Sequence, residues 1–455
     1  MDPIHAVLEH AERIDLRDVP GEVVATSRRF VLDTLATMIA GTRAPGCGQV
    51  LEQLAEWGGA PQATAATGAR LPAPYAALAN GTMAHAFDFD ETHMLADVHG
   101  HASVLPAALA AAEVAGNVSG RELLAAIILG VDVACRLGLS IKRDRGWHRT
   151  AVCGIFGSTL AAGRLLGLRG ATLNHAVGIA YSLAAGNFQC LTDAALTKRM
   201  QPGFAARAAV ESAMFARRGI TGARDVLEGK WGFYRVYYDP GEYDVAPLLD
   251  GLGKRFEIEA LSMKAYPSCH FGHIAIDAAR ALAAEMHLRA EDVAAVRVEM
   301  PAVSHDYLGG AFRVGDSPQV SAQFSTAHNV AAALLHGTMG LAQLQTEAIE
   351  NPALLALAER VTTVSNGDPD AYGPVTLHVT LRSGRTGTHR TSRLPKGDPT
   401  NPMSDAERHA KVAGCLAHAG WAAHRTGDLI AWVDTLEQAE RPAAALPALF
   451  GRSTA

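Results

Sequence analysis

The stretch that most constrains this chain runs from Asp88 to Pro106 and reads DFDETHMLADVHGHASVLP. It gathers Asp88, Asp90, Glu91, His93, Asp97, His99 and His101 between two segments dominated by Ala and Leu. Flanks this apolar belong in a core, and the ionisable cluster is carried inward with them. Buried charge is costly unless it is paired, so a cluster of this kind between apolar walls marks a site rather than a solvated loop.

Composition says what kind of walls these are. Hydrophobic residues make up 49% of the 455 residues and aromatics only 6%, so the interior must be built from Ala, Leu, Val and Gly. That favours helices packed closely through small residues, in a chain long enough for two domains. The formal net charge of -6, with no basic run, argues for a small-molecule partner and against nucleic acid. The N-terminus has no apolar signal region, and no apolar run approaches the roughly 20 residues that span a bilayer, so a cytoplasmic protein without a membrane partner is expected. Cys47, Cys135, Cys153, Cys190, Cys269 and Cys415 are scattered without a Cys-x-x-Cys pair. A zinc knuckle, a disulfide framework and an iron–sulfur cluster are therefore not indicated.

Along the chain, Val23, Val24, Ser27, Phe30, Val31, Leu35 and Met38 keep one helical face apolar from Pro20 until Gly41. Residues 58–73 read as a connection. A helix resumes at Pro74 and includes His85, read as a helix histidine satisfied by its surroundings. Another helix is expected from Ser103 to Val114. Ser119 and Glu122 have capping-box spacing, and Asp132 and Arg136 lie one turn apart, where they can pair. Beyond His148, Gly154, Gly157, Ser158 and Ala161 share one helix side and would let another helix approach closely, with Cys153 a core thiol. Residues 174–190 read as helix, and Thr197–Gly203 (TKRMQPG) as a turn with two adjacent cations, Lys198 facing either solvent or the interior. No Gly-x-x-x-x-Gly-Lys phosphate cradle occurs.

The pattern changes after Phe256. Residues 293–301 alternate like a half-buried strand, and 375–394 read as a strand, a Ser-Gly turn and a second strand. His273 opens a helix in which it would face Asp277, and His305, Asp306 and Tyr307 read as a surface turn. The expected fold class is mainly α, a large all-helical domain with an inserted smaller α+β domain. Residues 1–258 form the first helical part, 259–394 the inserted α+β domain, and 395–455 the helical return, its last five residues loose.

Three motifs together resemble the MmgE/PrpD family: DFDETH with HGHASVLPAALA, then TKRMQPG, then KAYPSCHFGHIAIDA. A fourth, LPKGDPTNPMS, is similar to the junction by which that family returns from its small domain. The family includes 2-methylcitrate dehydratases, cis-aconitate decarboxylases and iminodisuccinate epimerases. The resemblance implies that the inserted α+β domain is a lid, in a homodimer whose site lies between the helical and lid domains and needs no metal or organic cofactor. Asp88 and Thr92 match the acidic site motif, His99 the histidine ahead of the Val-x-Pro helix start, and His148 the histidine before the Gly-rich helix. Lys198 matches the turn lysine and Lys264 the lysine that opens the lid. Some members, decarboxylases included, carry a histidine five positions after that lysine, where this chain has Cys269 followed by His270. Those two residues and Arg199 are candidates for substrate contact.

The implied chemistry is proton transfer or carbon dioxide loss at a carbon next to a carboxylate, which develops an enolate dianion that fixed cations must meet. Lys198 and Lys264 suit that task. His99 and His148 suit acid and base roles, Asp88 can orient one of them or act as a base, and Thr92 can hold a carboxylate or hydroxyl. The expectation is a cofactor-independent lyase for a di- or tricarboxylate, foremost a hydro-lyase of the 2-methylcitrate dehydratase kind, as in propionate metabolism. Decarboxylation of cis-aconitate and epimerisation of iminodisuccinate are the alternatives within the family. From another class comes a metal-dependent hydrolase using Asp88, Asp90, His93, His99 and His101 as ligands; a helical scaffold is a third reading.

Overall fold

A computed structural model describes residues 1–391 and 393–451, so the looseness expected of the last residues falls, apart from Gly451, outside the described chain. The chain is mainly helical. The core is a set of small-residue helices, Gly21–Gly41, Ala73–His85, Gly100–Ala115, Gly120–Leu139, Gly154–Leu165 and Thr197–Arg217, each touching two or more of the others. Gly100–Ala115 is buried from Gly100 through Ala112, as its Ala/Val/Leu composition requires, and begins three residues earlier than Ser103. Ser119 and Glu122 close a complete capping box on Gly120–Leu139. In the same helix Arg136 Nε donates to Asp132 at 2.7 Å, with both side chains fully buried. No described helix is long and apolar enough to cross a membrane.

Glycine sets the helix spacing. A Cβ on Gly81 would lie 2.7 Å from Gly203 Cα, so Ala73–His85 and Thr197–Arg217 meet backbone to backbone. Gly157 is pressed in the same way against the carbonyl of Gly130, the close approach its spacing predicts. The TKRMQPG stretch is not a turn but the start of the Thr197–Arg217 helix, with Pro202 inside it. The two cations and the proline read as an interruption, yet the Gly203 contact with Leu78 and Thr82 holds the segment helical.

Residues 293–391 hold a four-stranded sheet in the order Val361–Ser365, Val293–Met300, Val375–Leu381, Thr386–Thr391. The first pair is parallel and the other two antiparallel. Val293, Val296, Val298 and Met300 face inward, where helices His273–Met286 and Thr326–His336 complete this part of the core. The Pro352–Ala358 helix leads into the Val361–Ser365 strand. Strands also occur outside residues 259–394, in a two-residue hairpin (Ala63–Thr64 with Arg70–Leu71) and in Thr92–His93 paired with Leu261–Ser262. Asp405–His418 packs on Gly21–Gly41, where Lys411 Nζ reaches Asp33 at 2.6 Å and donates to the Phe89 carbonyl.

Candidate active site

The acidic stretch is interior, and nearly all of its charges are matched. Asp88, 3% exposed, follows the Ala73–His85 helix in the left-handed conformation (φ 50°), which Asp tolerates better than most side chains. Its carboxylate accepts from Lys198 Nζ through Oδ1 and from Lys264 Nζ, at 2.7 Å, through Oδ2. Lys264 also donates to the Asp88 carbonyl at 3.0 Å.

Each lysine is delivered by a separate element. Lys198 sits in the first turn of Thr197–Arg217, the end of a helix where a cation is least favoured, so its placement answers to Asp88 and not to the helix. Lys264 follows the Leu261–Ser262 strand, whose pairing with Thr92–His93 fastens it to the acidic stretch. Burial alone would raise the Asp88 carboxyl, but the two ammonium groups outweigh it and hold the carboxyl well below the usual range. Burial pulls Lys264 down, and Asp88 and Asp90 more than restore it.

The two predicted histidines present the same nitrogen. His99 precedes Gly100–Ala115 as its N-cap, and its Nδ1 lies 2.7 Å from the Glu91 carbonyl. A carbonyl only accepts, so Nδ1 carries the hydrogen and Nε2 is left for the cavity. His148 Nδ1 lies 3.1 Å from Gln201 Oε1, an oxygen that also accepts from Asn187 N, while Gln201 Nε2 donates to the Asn187 carbonyl. His148 is therefore also protonated at Nδ1. Burial pushes both imidazoles well below their ordinary value, so near neutral pH they are uncharged.

These groups line one tight cavity, with about 50 Å³ open to water-sized molecules. Asp88, Thr92, His99, His148, Lys198, Lys264, Cys269 and His270 all line it. Burial pushes the Cys269 thiol up to about 12 and His270 down to about 3, so both face the cavity uncharged near neutral pH. Arg199 is the exception: it does not line the cavity, and its Nη1 donates to the Pro45 carbonyl at 2.7 Å. Adjacent residues on a helix point about 100° apart, so Lys198 and Arg199 cannot both face the same cavity.

Other expectations change. His85 is part of the cluster: its Nδ1 lies 2.8 Å from Asp90 Oδ2, and its ring centroid is 4.8 Å from that of His99 and 5.5 Å from that of His148. The sequence signal was there, a lone ionisable group in the last turn of an otherwise apolar helix. Tyr307 is not in a surface turn but in the Ala302–Leu308 helix; it lines the cavity and donates to Asp144 at 2.9 Å. Phe188, Leu191, Phe271, Phe324 and Tyr372 complete an apolar wall that no local pattern announced, because they come from distant segments. His273 does not pair with Asp277; its Nε2 lies 3.3 Å from the Ser268 carbonyl, and Asp277 instead accepts from Tyr266 and Lys396 N.

The ligand set of the hydrolase reading comes apart. His93 pairs with Glu257, His101 with Glu91, and Asp88 with the lysines. Among the described residues, one ligand atom from each of His85, Asp90 and His99 lies within 4.8 Å of the others. In this trio the Nδ1 atoms of His85 and His99 are hydrogen-bonded, to the Asp90 carboxylate and the Glu91 carbonyl.

Fixed ammonium charge, neutral imidazoles and an enclosing apolar wall are groups suited to acid–base chemistry, and they gather in one cavity. The family model for the MmgE/PrpD N-terminal domain matches residues 6–246, and that for the MmgE/PrpD C-terminal domain matches residues 266–433. The chain belongs to the MmgE/PrpD family and is a lyase. A cis-aconitate decarboxylase-like protein of Aspergillus oryzae is 27% identical over 87% of this chain and 86% of its own length. The cis-aconitate decarboxylase of Aspergillus terreus is 27% identical over 80% of this chain and 78% of its own. The human cis-aconitate decarboxylase is 28% identical over 86% and 82%.

Proposed function

We propose that this lyase removes carbon dioxide from a small unsaturated tricarboxylate of the cis-aconitate kind without a metal or organic cofactor. The observation that carries the reading is the pair of buried lysines converging on Asp88 at the cavity wall, facing two imidazoles whose Nε2 atoms are unengaged among the described residues. The names of the relatives favour decarboxylation over the 2-methylcitrate dehydration expected from sequence.

In such a substrate the bond from a methylene carbon to its carboxylate breaks. The electron pair moves through the adjacent double bond to a carbon that bears another carboxylate. The negative charge that develops there is met by Lys198 and Lys264, already held in place by Asp88. One proton must then be added to that carbon. Burial keeps His99 neutral near neutral pH, and the charge of the bound substrate raises its affinity for a proton, so its Nε2 can receive one from solvent and deliver it. His148 serves the second face, Thr92, Cys269 and His270 fix the remaining carboxylates, and residues 259–394 close over the site as a lid. A homodimer belongs to the same proposal, supported by the exposed apolar side chains of Leu183, Phe215, Ile220 and Trp231.

Dehydration is the second reading, because this chain has Cys269 at a position where some members of the family, decarboxylases included, carry a histidine. Proton NMR of chelator-treated enzyme in deuterated buffer separates them. The expected result is consumption of cis-aconitate, with deuterium entering the new methylene. Alkene formation from 2-methylcitrate without decarboxylation would establish the second reading. Silence with cis-aconitate, 2-methylcitrate, citrate and iminodisuccinate would overturn both.

A further inference from the structure

Behind His99 lies a charge that the reaction so far leaves unused. Asp90 is 0% exposed, and its Oδ2 lies 2.8 Å from His85 Nδ1 and 3.4 Å from His99 Nδ1. Among the described residues its Oδ1 has no partner, nor has His85 Nε2, although both atoms are buried. A carboxylate enclosed in this way with one firm donor is unfavourable in the resting protein. It becomes favourable when a neighbour turns cationic, and the neighbour on the cavity side is His99.

We propose that Asp90, held in place by His85, is the buried counter-ion that keeps His99 protonated once substrate is bound and fixes its ring with Nε2 toward the cavity. This rests on the reading of His99 as the proton donor. Glu91 supplies the orienting carbonyl at Nδ1, and Asp90 supplies the charge that a carbonyl cannot. In the step the Nε2 proton passes to the substrate carbon, Nδ1 keeps its hydrogen, Asp90 stays ionised, and solvent returns the proton. Asp90 and His85 touch neither substrate nor reacting atoms and are positioning residues.

The ionisable groups facing His99 are Asp90, Asp88, His85 and Lys264, with Lys198 on the far side of Asp88 and His148 beyond His85. Of these, Asp90 is the strongest influence favouring the imidazolium, while Lys264 opposes it. Burial raises Asp90 itself, and His99 is the leading influence restoring its charge, as reciprocal partners should show.

The experiment compares wild type with Asp90→Asn, Asp90→Ser and Asp90→Glu. The serine variant leaves room for water if asparagine does not fold, and the glutamate variant retains the charge. Histidine NMR titration of the substrate-free protein, with the His99 resonance identified by its loss in His99→Asn, reads the pair without any turnover. In both neutral variants His99 is expected to titrate at least about one pH unit lower, with Asp90→Glu restoring most of the shift. In steady-state assays kcat is expected to fall about 100-fold with KM little changed, and its alkaline limb to move to lower pH. A His99 titration that is the same, or absent, in wild type and both neutral variants overturns the proposal. So does a divalent metal copurifying at one per chain and lost on replacing Asp90, because the trio would then be a metal site. A shifted titration in a protein that turns over none of the acids keeps the pair and removes the reaction. Turnover of cis-aconitate with an unshifted titration does the reverse.

Discussion

Asp88 illustrates how one residue can serve structure and chemistry together. Its carboxylate satisfies two buried ammonium groups, and those same groups are the cations a substrate would meet. Removing one partner leaves the others short of a counter-charge where they are almost wholly buried, so Lys264→Met is expected to cost about 3–5 kcal/mol of stability. It should also lower kcat by about 100-fold or more, since a fixed charge at the reacting carbon is lost. Thermal unfolding and steady-state kinetics on the same preparation check both; a variant as stable as wild type would show that Lys264 is not needed to neutralise Asp88. At this scale the sequence was most legible where a charge stood out from apolar surroundings. Asp88, His99, His148, Lys198 and Lys264 were all identified, and all line the cavity. Arg199 was misassigned and His85 undervalued, because the direction of a side chain depends on helix phase and neighbours that a lone residue does not reveal.

Among the elements, the pairing of Ala73–His85 with Thr197–Arg217 matters most, since one leads into Asp88 and the other carries Lys198. Their backbones touch through Gly81 and Gly203, where a Cβ on Gly203 would lie 2.5 Å from the Leu78 carbonyl. Gly203→Ala is therefore expected to force the helices apart, costing about 1–3 kcal/mol. It should also reduce kcat by about 100-fold through displacement of Lys198, since catalysis is sensitive to shifts of about 1 Å. Gly414, in the Asp405–His418 helix, has nothing within 4 Å of its would-be Cβ. Gly414→Ala is expected to stabilise by about 0.5–1 kcal/mol and to leave kcat alone. Parallel melting curves and kinetics compare the two; equal effects would dismiss the close-packing argument. The same contact explains why TKRMQPG was taken for a turn. Local preference disfavours cations and proline there, and only the partner helix overrides it.

For the whole molecule, the many buried neutral imidazoles set the response to acid. His85, His99, His148 and His273 are held well below their ordinary value by burial, His328 is pushed down to about 4, and His270 to about 3. In the unfolded chain these groups take up protons near pH 6.5, so the unfolded state binds more protons below that pH and stability falls as pH drops. Asp33 and Asp132 act oppositely. Burial raises each to about 6, against about 4 when unfolded, so the stability they contribute is present below about pH 4 and lost as pH rises toward 6. His10 and His418 are also lowered and Asp90, Asp97 and Glu211 also raised by burial, so eight imidazoles oppose five carboxylates. Denaturant melts are expected to show falling stability from about pH 6.5 to pH 4, and a flat or rising profile over that range would contradict the burial of neutral histidine.

The amino-acid sequence by itself determined the helical character, the burial of most of the acidic stretch, the strand pair Val375–Leu381 and Thr386–Thr391, and most of the charged residues that line the cavity. Each of these follows from local pattern: apolar periodicity, small-residue spacing, alternation, and ionisable groups in apolar company. Only the tertiary structure decided which partner each charge has. Asp88 meets Lys198 and Lys264, His148 is turned by Gln201, Asp90 lies between His85 and His99, and Tyr307 and Tyr372 reach the cavity wall. Ion pairing acts through space between segments far apart in the chain, and those distances arise only when helices close on glycine and the Thr92–His93 strand pairs with Leu261–Ser262.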